Sequence, residues 1–153
     1  MKRKVETANI LHAIIIVASA LTILAVLMPW ARDVSFPPFL GGGQTLNGTT
    51  LQAGIYALIS AAAALLFQLA AVASKRTKVA FGTLAAGLLS MFFSESWIMF
   101  PGYFETQTRF YTMLYGAHVA LAGAAIVSTA TGALILLPKK GATLQEQPPP
   151  SPL

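Results

Sequence analysis

The sequence predicts an all-α fold: an antiparallel bundle of four transmembrane helices with both chain ends in the cytoplasm. Apolar residues make up 56% of the 153-residue chain and charged residues only 10%, against about a quarter in soluble globular domains. The apolar residues are concentrated in four long stretches, and short basic clusters lie at the ends of those stretches. A lipid bilayer, in which a charged protein surface is not needed, is therefore the expected solvent.

Each of the four stretches has the length of a membrane-spanning helix. About 20 residues at 1.5 Å per residue cross the roughly 30 Å of hydrocarbon, and in hydrocarbon every backbone amide needs an internal partner, which a helix provides. The predicted spans cover residues 9–30, 54–74, 79–100 and 113–137. They leave a cytoplasmic N-terminus at 1–8 and a proline-rich cytoplasmic tail at 138–153, which we expect to be disordered.

Basic residues predict the orientation of the bundle. Eight of the ten Lys and Arg residues fall at one end of it, and only Arg32 and Arg109 fall at the other. Because Lys and Arg are retained on the cytoplasmic side, this asymmetry places both termini there. The eight residues are Lys2, Arg3, Lys4, Lys75, Arg76, Lys78, Lys139 and Lys140.

The first span could also be a secretory signal peptide, since Ala18-Ser19-Ala20 resembles a small-residue cleavage site. Its apolar run, however, continues to Pro29, beyond the roughly 7–15 residues of a signal-peptide core. We therefore expect the first span to be retained as a transmembrane helix.

The first outer loop, residues 31–53, contains Pro37-Pro38, three consecutive glycines and Asn47-Gly48. These residues favour turns, so the loop is expected to be irregular. Asn47-Gly48-Thr49 also matches the glycosylation sequon, which makes Asn47 a modification site if the organism glycosylates exported proteins.

Five aromatic side chains fall near the predicted outer ends of the helices. Amphipathic rings favour the headgroup level of a bilayer, so we interpret these residues as an anchoring belt, with ligand stacking as the alternative. They are Trp30, Trp97, Tyr103, Tyr111 and Tyr115.

Small residues recur at every fourth position on the third and fourth spans. This spacing places each set on one helix face, where small side chains let two backbones approach closely. We favour the interpretation that the stripes pack the helices within one bundle. Four helices do not obviously need two separate stripes, however, so an interface between molecules is the alternative. The sets are Gly82, Ala86, Ser90 and Ser94 on the third span, and Gly116, Ala120, Ala124, Ser128 and Gly132 on the fourth.

Two ionisable residues, Glu95 and His118, fall at similar depth in the outer halves of the third and fourth spans. Ionisable groups within spans are costly, and each therefore carries a functional hypothesis. Glu95 and His118 could form a polar intramembrane pair that holds a proton, a cation or a polar ligand. The alternative is separate contacts with headgroups and with a neighbouring helix. Gln68 is expected to make an interhelical hydrogen bond.

No signature of catalysis, nucleotide binding or metal binding is visible. The chain has no cysteine, which excludes disulfides, thiol nucleophiles and Cys-ligated metals. His12 and His118 lie near opposite membrane faces, about 20 Å apart along the normal, so they cannot share one haem. No cofactor is predicted, and no nucleic-acid partner is expected despite the net charge of +5, because the basic residues follow membrane topology.

The layout resembles that of claudin-type tetraspan proteins, with cytoplasmic ends, a longer first outer loop, a shorter second one and a proline-containing tail. The resemblance is one of topology, because the paired cysteines of that family's first outer loop are absent here.

The leading hypothesis from the sequence is a small non-catalytic protein of the cell membrane that associates laterally through its helices. It would be an accessory or assembly subunit of a membrane complex, or a homo-oligomer. One alternative is an ion- or proton-coupled transporter or channel that uses Glu95 and His118. A second alternative is an electron-transfer subunit that holds a cofactor.

Overall fold

The computed structural model of the chain describes residues 2–34, 43–74, 77–100 and 111–137. It contains four α-helices, each long and apolar enough to cross a membrane, and this part of the prediction is confirmed. The predicted tail at 138–153 lies outside the described residues. The helices are α1 (Lys2–Val26), α2 (Gln52–Ser74), α3 (Thr77–Met99) and α4 (Tyr115–Leu136).

The four helices pack in cyclic order. α1 and α3 each pack against both α2 and α4, so that α1 lies diagonally opposite α3. Neighbouring helices run antiparallel. Along the contact between α2 and α3, for example, the ring of Tyr56 meets that of Phe93, while Phe67 lies against Gly82 near the other end of both helices.

One end of the bundle carries a small β-sheet, and we call it the sheet end; the opposite end is the basic end. The central strand β1 (Pro29–Asp33) pairs antiparallel with β2 (Thr45–Asn47) and with β3 (Tyr111–Met113). A 3₁₀ turn at Gly48–Thr50 joins β2 to α2. The chain is mostly helical, as predicted, but the expectation of an irregular first outer loop is wrong for residues 31–33 and 45–47, which form strands. Backbone groups outside helices still need hydrogen-bond partners, and three short strands supply them to one another.

The first helix ends earlier than the sequence suggested, at Val26 rather than at Trp30. The amides of Leu27 and Met28 turn back to the carbonyls of Leu24 and Ala25, at 3.0 and 3.1 Å, and the strand begins at Pro29. Proline has no N–H for a helical hydrogen bond and disfavours helical backbone in the residue before it. The apolar stretch therefore continues beyond the helix.

Trp30 lies at an irregularity in the pairing of β1 with β2. Pro29 is opposite Asn47 and Ala31 is opposite Leu46, so two steps along β1 match one step along β2. Such a bulge changes the direction in which the side chain of the extra residue points. The Trp30 indole is fully buried, and its Nε1 donates a hydrogen bond to the carbonyl oxygen of Ala25 at 3.0 Å.

Candidate functional site

Both small-residue stripes predicted from the sequence lie mainly inside the bundle. A Cβ added to Gly116 would lie 2.6 Å from the carbonyl oxygen of Pro29, and one added to Gly82 would lie 2.9 Å from the ring of Phe67. Gly132 differs, because a Cβ there would meet nothing within 4 Å. The stripes therefore pack the helices of one chain together. The buried members are Ala86, Ser90, Ser94, Gly116, Ala120, Ala124 and Ser128.

The exterior of α4 carries a second set of small residues, which shares only Gly132 with the stripe predicted from the sequence. Counted at about 100° per residue, these residues all lie within about 40° of one line along the helix that passes through His118. They are exposed or half-buried, whereas the original stripe occupies the opposite, buried side of the helix. The set is Ala122, Ala125, Thr129 and Gly132.

Glu95 and His118 both lie on the exterior of the bundle. Each is exposed, and among the described residues the structure shows no hydrogen bond or ion pair between them. His118 Nδ1 lies 3.2 Å from the carbonyl oxygen of Leu114. Since a carbonyl can only accept, Nδ1 carries the proton in this contact and Nε2 is left for another group. The Glu95–His118 pairing on which the transport alternative depends is not formed.

The two ionisable residues nevertheless flank the same groove, between α3 and α4. The contact line of these helices passes through Gly87, whose added Cβ would lie 2.9 Å from Ser128 Oγ. At about 100° per residue, Glu95 lies about 80° from Gly87, and His118 lies about 80° from Ser128, each on the side away from the core. Their depths below the sheet-end termini of their helices are also similar, about 6 and 4.5 Å.

This surface, which we call the α3–α4 face, combines three features. Longer side chains form the α3 wall, small side chains together with Leu121 form the α4 wall, and Glu95 and His118 lie at its sheet end. Its remaining members on α3, by the same angular count, are Leu84, Leu88 and Met91. The face is continuous along α4 from the sheet end to Gly132.

Four of the five aromatic residues of the predicted belt lie among the described residues. Trp30 and Trp97 are fully buried, so they are core residues rather than members of an exposed belt. Tyr111 is half-buried, with its ring 5.4 Å from that of Trp97. Tyr115 is 59% exposed, in keeping with an interfacial position. Tyr103 lies outside the described residues.

A second polar cluster lies inside the bundle toward the basic end. Gln68 Nε2 lies 2.5 Å from His12 Nδ1, and Thr83 Oγ1 lies 3.5 Å from Gln68 Oε1. The interhelical hydrogen bond predicted for Gln68 is therefore confirmed. Its partners were not predicted, although His12, Gln68 and Thr83 lie at similar depth, about 7.5–9 Å from the basic end of the apolar part of their helices.

Asn47 is exposed at the end of β2, and its backbone carbonyl accepts a hydrogen bond from Thr50 Oγ1 at 2.7 Å. Thr49, the third residue of the sequon, is exposed too. The described residues contain no group of three or more His, Cys, Asp or Glu side chains placed to hold a metal ion.

Comparison of the chain with protein-family models, with curated proteins and with solved structures gives no match.

Proposed function

We propose that this chain is a multi-pass membrane protein, with both ends in the cytoplasm, that functions by lateral association of its helices as an assembly or accessory subunit. The observation that carries the proposal is the α3–α4 face. Its small residues remain exposed after the bundle has packed, and two ionisable side chains lie on the same exterior surface.

Small side chains on a helix exterior favour association in lipid. Lipid tails are as apolar as leucine, so helices associate through close packing and interhelical hydrogen bonds rather than through a hydrophobic driving force. Ala122, Ala125 and Gly132 leave room for a second backbone to approach α4. Thr129 does not oppose this approach, because its hydroxyl already donates to the carbonyl oxygen of Ala125 at 2.8 Å.

The two ionisable side chains support the same conclusion. Charged and ionisable residues of membrane helices normally face the bundle interior and are paired there. Glu95 and His118 face outward, about one turn from the ends of their helices. A partner that supplies an oppositely charged group at that depth would stabilise both.

The occupant we assign to the face is a second copy of the chain. A two-fold axis along the membrane normal would bring the same face of two copies together, as closed dimers require. Because Glu95 and His118 lie at similar depth on adjacent helices, that axis places each Glu95 near the His118 of the other copy. An acidic and a basic group on one surface therefore make it self-complementary.

Cysteine cross-linking tests this interface directly, since the natural chain contains no cysteine. Ala122→Cys places a thiol on the α3–α4 face, and Ile59→Cys places one at the same depth on the exterior of α2, where the side chain is 60% exposed. In vesicles treated with a mild oxidant, Ala122→Cys should form a disulfide-linked dimer and Ile59→Cys should not. Equal dimer yields from the two variants, or no dimer from either, would contradict the proposal.

Exchange of the ionisable pair tests which contacts hold the dimer. Glu95→Gln in the Ala122→Cys background should weaken dimer formation by about threefold to tenfold, the range expected for an interhelical polar contact. The double exchange Glu95→His with His118→Glu should restore it, because both reciprocal contacts form again. Failure of the exchange to restore dimers that Glu95→Gln has weakened would show that Glu95 acts without His118.

Two further results would redirect the proposal. Cross-linking of Ala122→Cys to a different membrane protein in native membranes, without a homodimer, would assign the face to a heteromeric partner. A pH-dependent ion flux in proteoliposomes that Glu95→Gln abolishes would favour the transport alternative.

A further inference from the structure

Three polar side chains from three different helices form a hydrogen-bonded chain inside the basic half of the bundle. His12 of α1 contacts Gln68 of α2 through Nδ1 and Nε2 at 2.5 Å, and Gln68 contacts Thr83 of α3 through Oε1 and Oγ1 at 3.5 Å. Gln68 and Thr83 are fully buried, and His12 is half-buried. Only His12 can gain or lose a proton near neutral pH.

The donor and acceptor roles in this chain follow from its chemistry. The Gln68 amide nitrogen can only donate, so Nδ1 of His12 accepts and the neutral imidazole carries its proton on Nε2. The Gln68 carbonyl oxygen accepts from the hydroxyl of Thr83. All the polar atoms that join the three helices are thereby paired while His12 is neutral.

Protonation of His12 requires the chain to reverse. Nδ1 of an imidazolium carries a proton and can no longer accept from the amide nitrogen of Gln68. A half-turn of the Gln68 amide would bring Oε1 to His12 as the acceptor and direct Nε2 toward Thr83. The Thr83 hydroxyl can accept as well as donate, so both hydrogen bonds are kept with their directions reversed.

We propose that His12 is a proton-binding site in the basic half of the bundle, and that Gln68 transmits its protonation state from α1 to Thr83 on α3. The site is separate from the α3–α4 face and does not depend on the proposed association. It couples two diagonally opposite helices through a side chain that is buried between them.

Besides the basic cluster at residues 2–4 of α1, few charged or titratable side chains among the described residues lie on the helices around the site. In α2 the only titratable side chain is Tyr56, and in α4 they are Tyr115 and His118, all three near the sheet end. In α3 the titratable groups are Lys78 and Glu95, both exposed, and Glu6 of α1 is exposed too, six residues before His12. No described acidic or basic residue of α2 or α4 lies in the basic half of the bundle to compensate a charge on His12. The hydrogen bond from His12 to Gln68 would therefore be its principal internal support.

Nuclear magnetic resonance of the full chain in lipid nanodiscs can observe each step. The chain has two histidines, so a His118→Gln background leaves His12 as the single imidazole. Its ring ¹⁵N shifts, the side-chain amide shifts of Gln68 and the side-chain shifts of Thr83 would be followed from about pH 5 to pH 8, the range in which histidine changes charge. We expect all three sets of signals to move with one midpoint.

Two variants test whether the pH dependence of the Thr83 signals is transmitted from His12 through Gln68. In Gln68→Met, which keeps a side chain of similar length without an amide, His12 should still titrate while the Thr83 signals become independent of pH. In Thr83→Val, the Gln68 amide should still follow His12, because only the last link is removed. Thr83→Val also covers the case in which Gln68→Met fails to fold.

Three results would overturn the proposal. In the first, His12 titrates while the Gln68 amide signals remain constant. In the second, the Thr83 signals still follow pH in Gln68→Met. In the third, His12 keeps one charge state across the whole range.

Discussion

The two ends of the bundle are built differently. The core of the sheet end contains two fully buried indoles, Trp30 and Trp97, which pack among alanines beneath the sheet. The core of the basic end contains smaller apolar side chains together with the hydrogen-bonded Gln68 and Thr83. Packing at the sheet end thus relies on large rigid rings, whereas packing at the basic end relies on small side chains and on hydrogen bonds between helices.

The difference shows two ways in which the ends of long apolar helices are packed together. Where strands and loops lie above the helices, a large ring can fill the space between them and contact several elements at once. Where helices are connected by only two residues, as α2 and α3 are, small side chains allow close packing and a buried amide links neighbouring helices. Substitutions of Trp30, of two glycines of α4 and of Thr83 test this contrast.

Trp30→Ala should have the largest effect, because it removes a fully buried ring that Val26, Gly48 and Gly116 surround. The free energy of unfolding should fall by about 3–5 kcal/mol, the usual cost of truncating a buried aromatic side chain. Unfolding of the helices by sodium dodecyl sulfate in mixed micelles, followed by circular dichroism, would measure it. The control Leu136→Ala, at a side chain that is 83% exposed, should stay within about 0.5 kcal/mol of wild type. A loss below about 1 kcal/mol for Trp30→Ala would show that the indole does not join sheet to bundle.

A pair of glycine variants on α4 gives the next largest effect. An added Cβ at Gly116 would lie 2.6 Å from both the Pro29 carbonyl oxygen and Trp30 Cδ1, whereas one at Gly132 would meet nothing within 4 Å. Gly116→Ala should therefore cost about 1–3 kcal/mol through overpacking. Gly132→Ala should be neutral or stabilising by up to about 1 kcal/mol through its higher helix propensity. The same detergent titration under monomeric conditions compares them, and equal effects would contradict the assignment of Gly116 to the core and Gly132 to the exterior.

Thr83→Val should have a smaller effect than Trp30→Ala or Gly116→Ala. The substitution keeps the shape of the side chain and removes one hydroxyl, whose hydrogen bond to Gln68 is long at 3.5 Å. Loss of a weak bond that leaves one buried acceptor unpaired should lower the free energy of unfolding by about 1 kcal/mol. A loss as large as that of Trp30→Ala would mean that hydrogen bonds, and not rings, carry most of the bundle's stability.

The sequence predicted the helices well because hydrocarbon imposes a strong rule. A run of about 20 apolar residues has few ways to satisfy its backbone in lipid, and all four runs form helices. The strands were not predicted. β2 and β3 have three residues each, too few to show the alternation that marks a strand, and β3 pairs with a strand from a distant part of the chain.

The site was harder to predict because periodicity does not tell which side of a helix faces a neighbour. The stripe from Gly116 to Ser128 had the spacing of a packing face, and so did the exterior set that begins at Ala122. Only the contacts of α4 with α1 and α3 distinguish the buried set from the exposed one. Burial of Trp30 likewise depended on the bulge in β1, which residue type alone does not reveal.

The position of β1 in the middle of the sheet has a consequence for biosynthesis. Its neighbour β2 is made soon after it, but β3 lies close to α4, and the bond from Thr112 Oγ1 to the Arg32 carbonyl oxygen spans 80 residues of chain. A nascent polypeptide therefore carries a half-paired strand until β3, which immediately precedes α4, has been synthesised. Such an edge can recruit foreign strands, so a product truncated before β3 should aggregate more readily than the full chain.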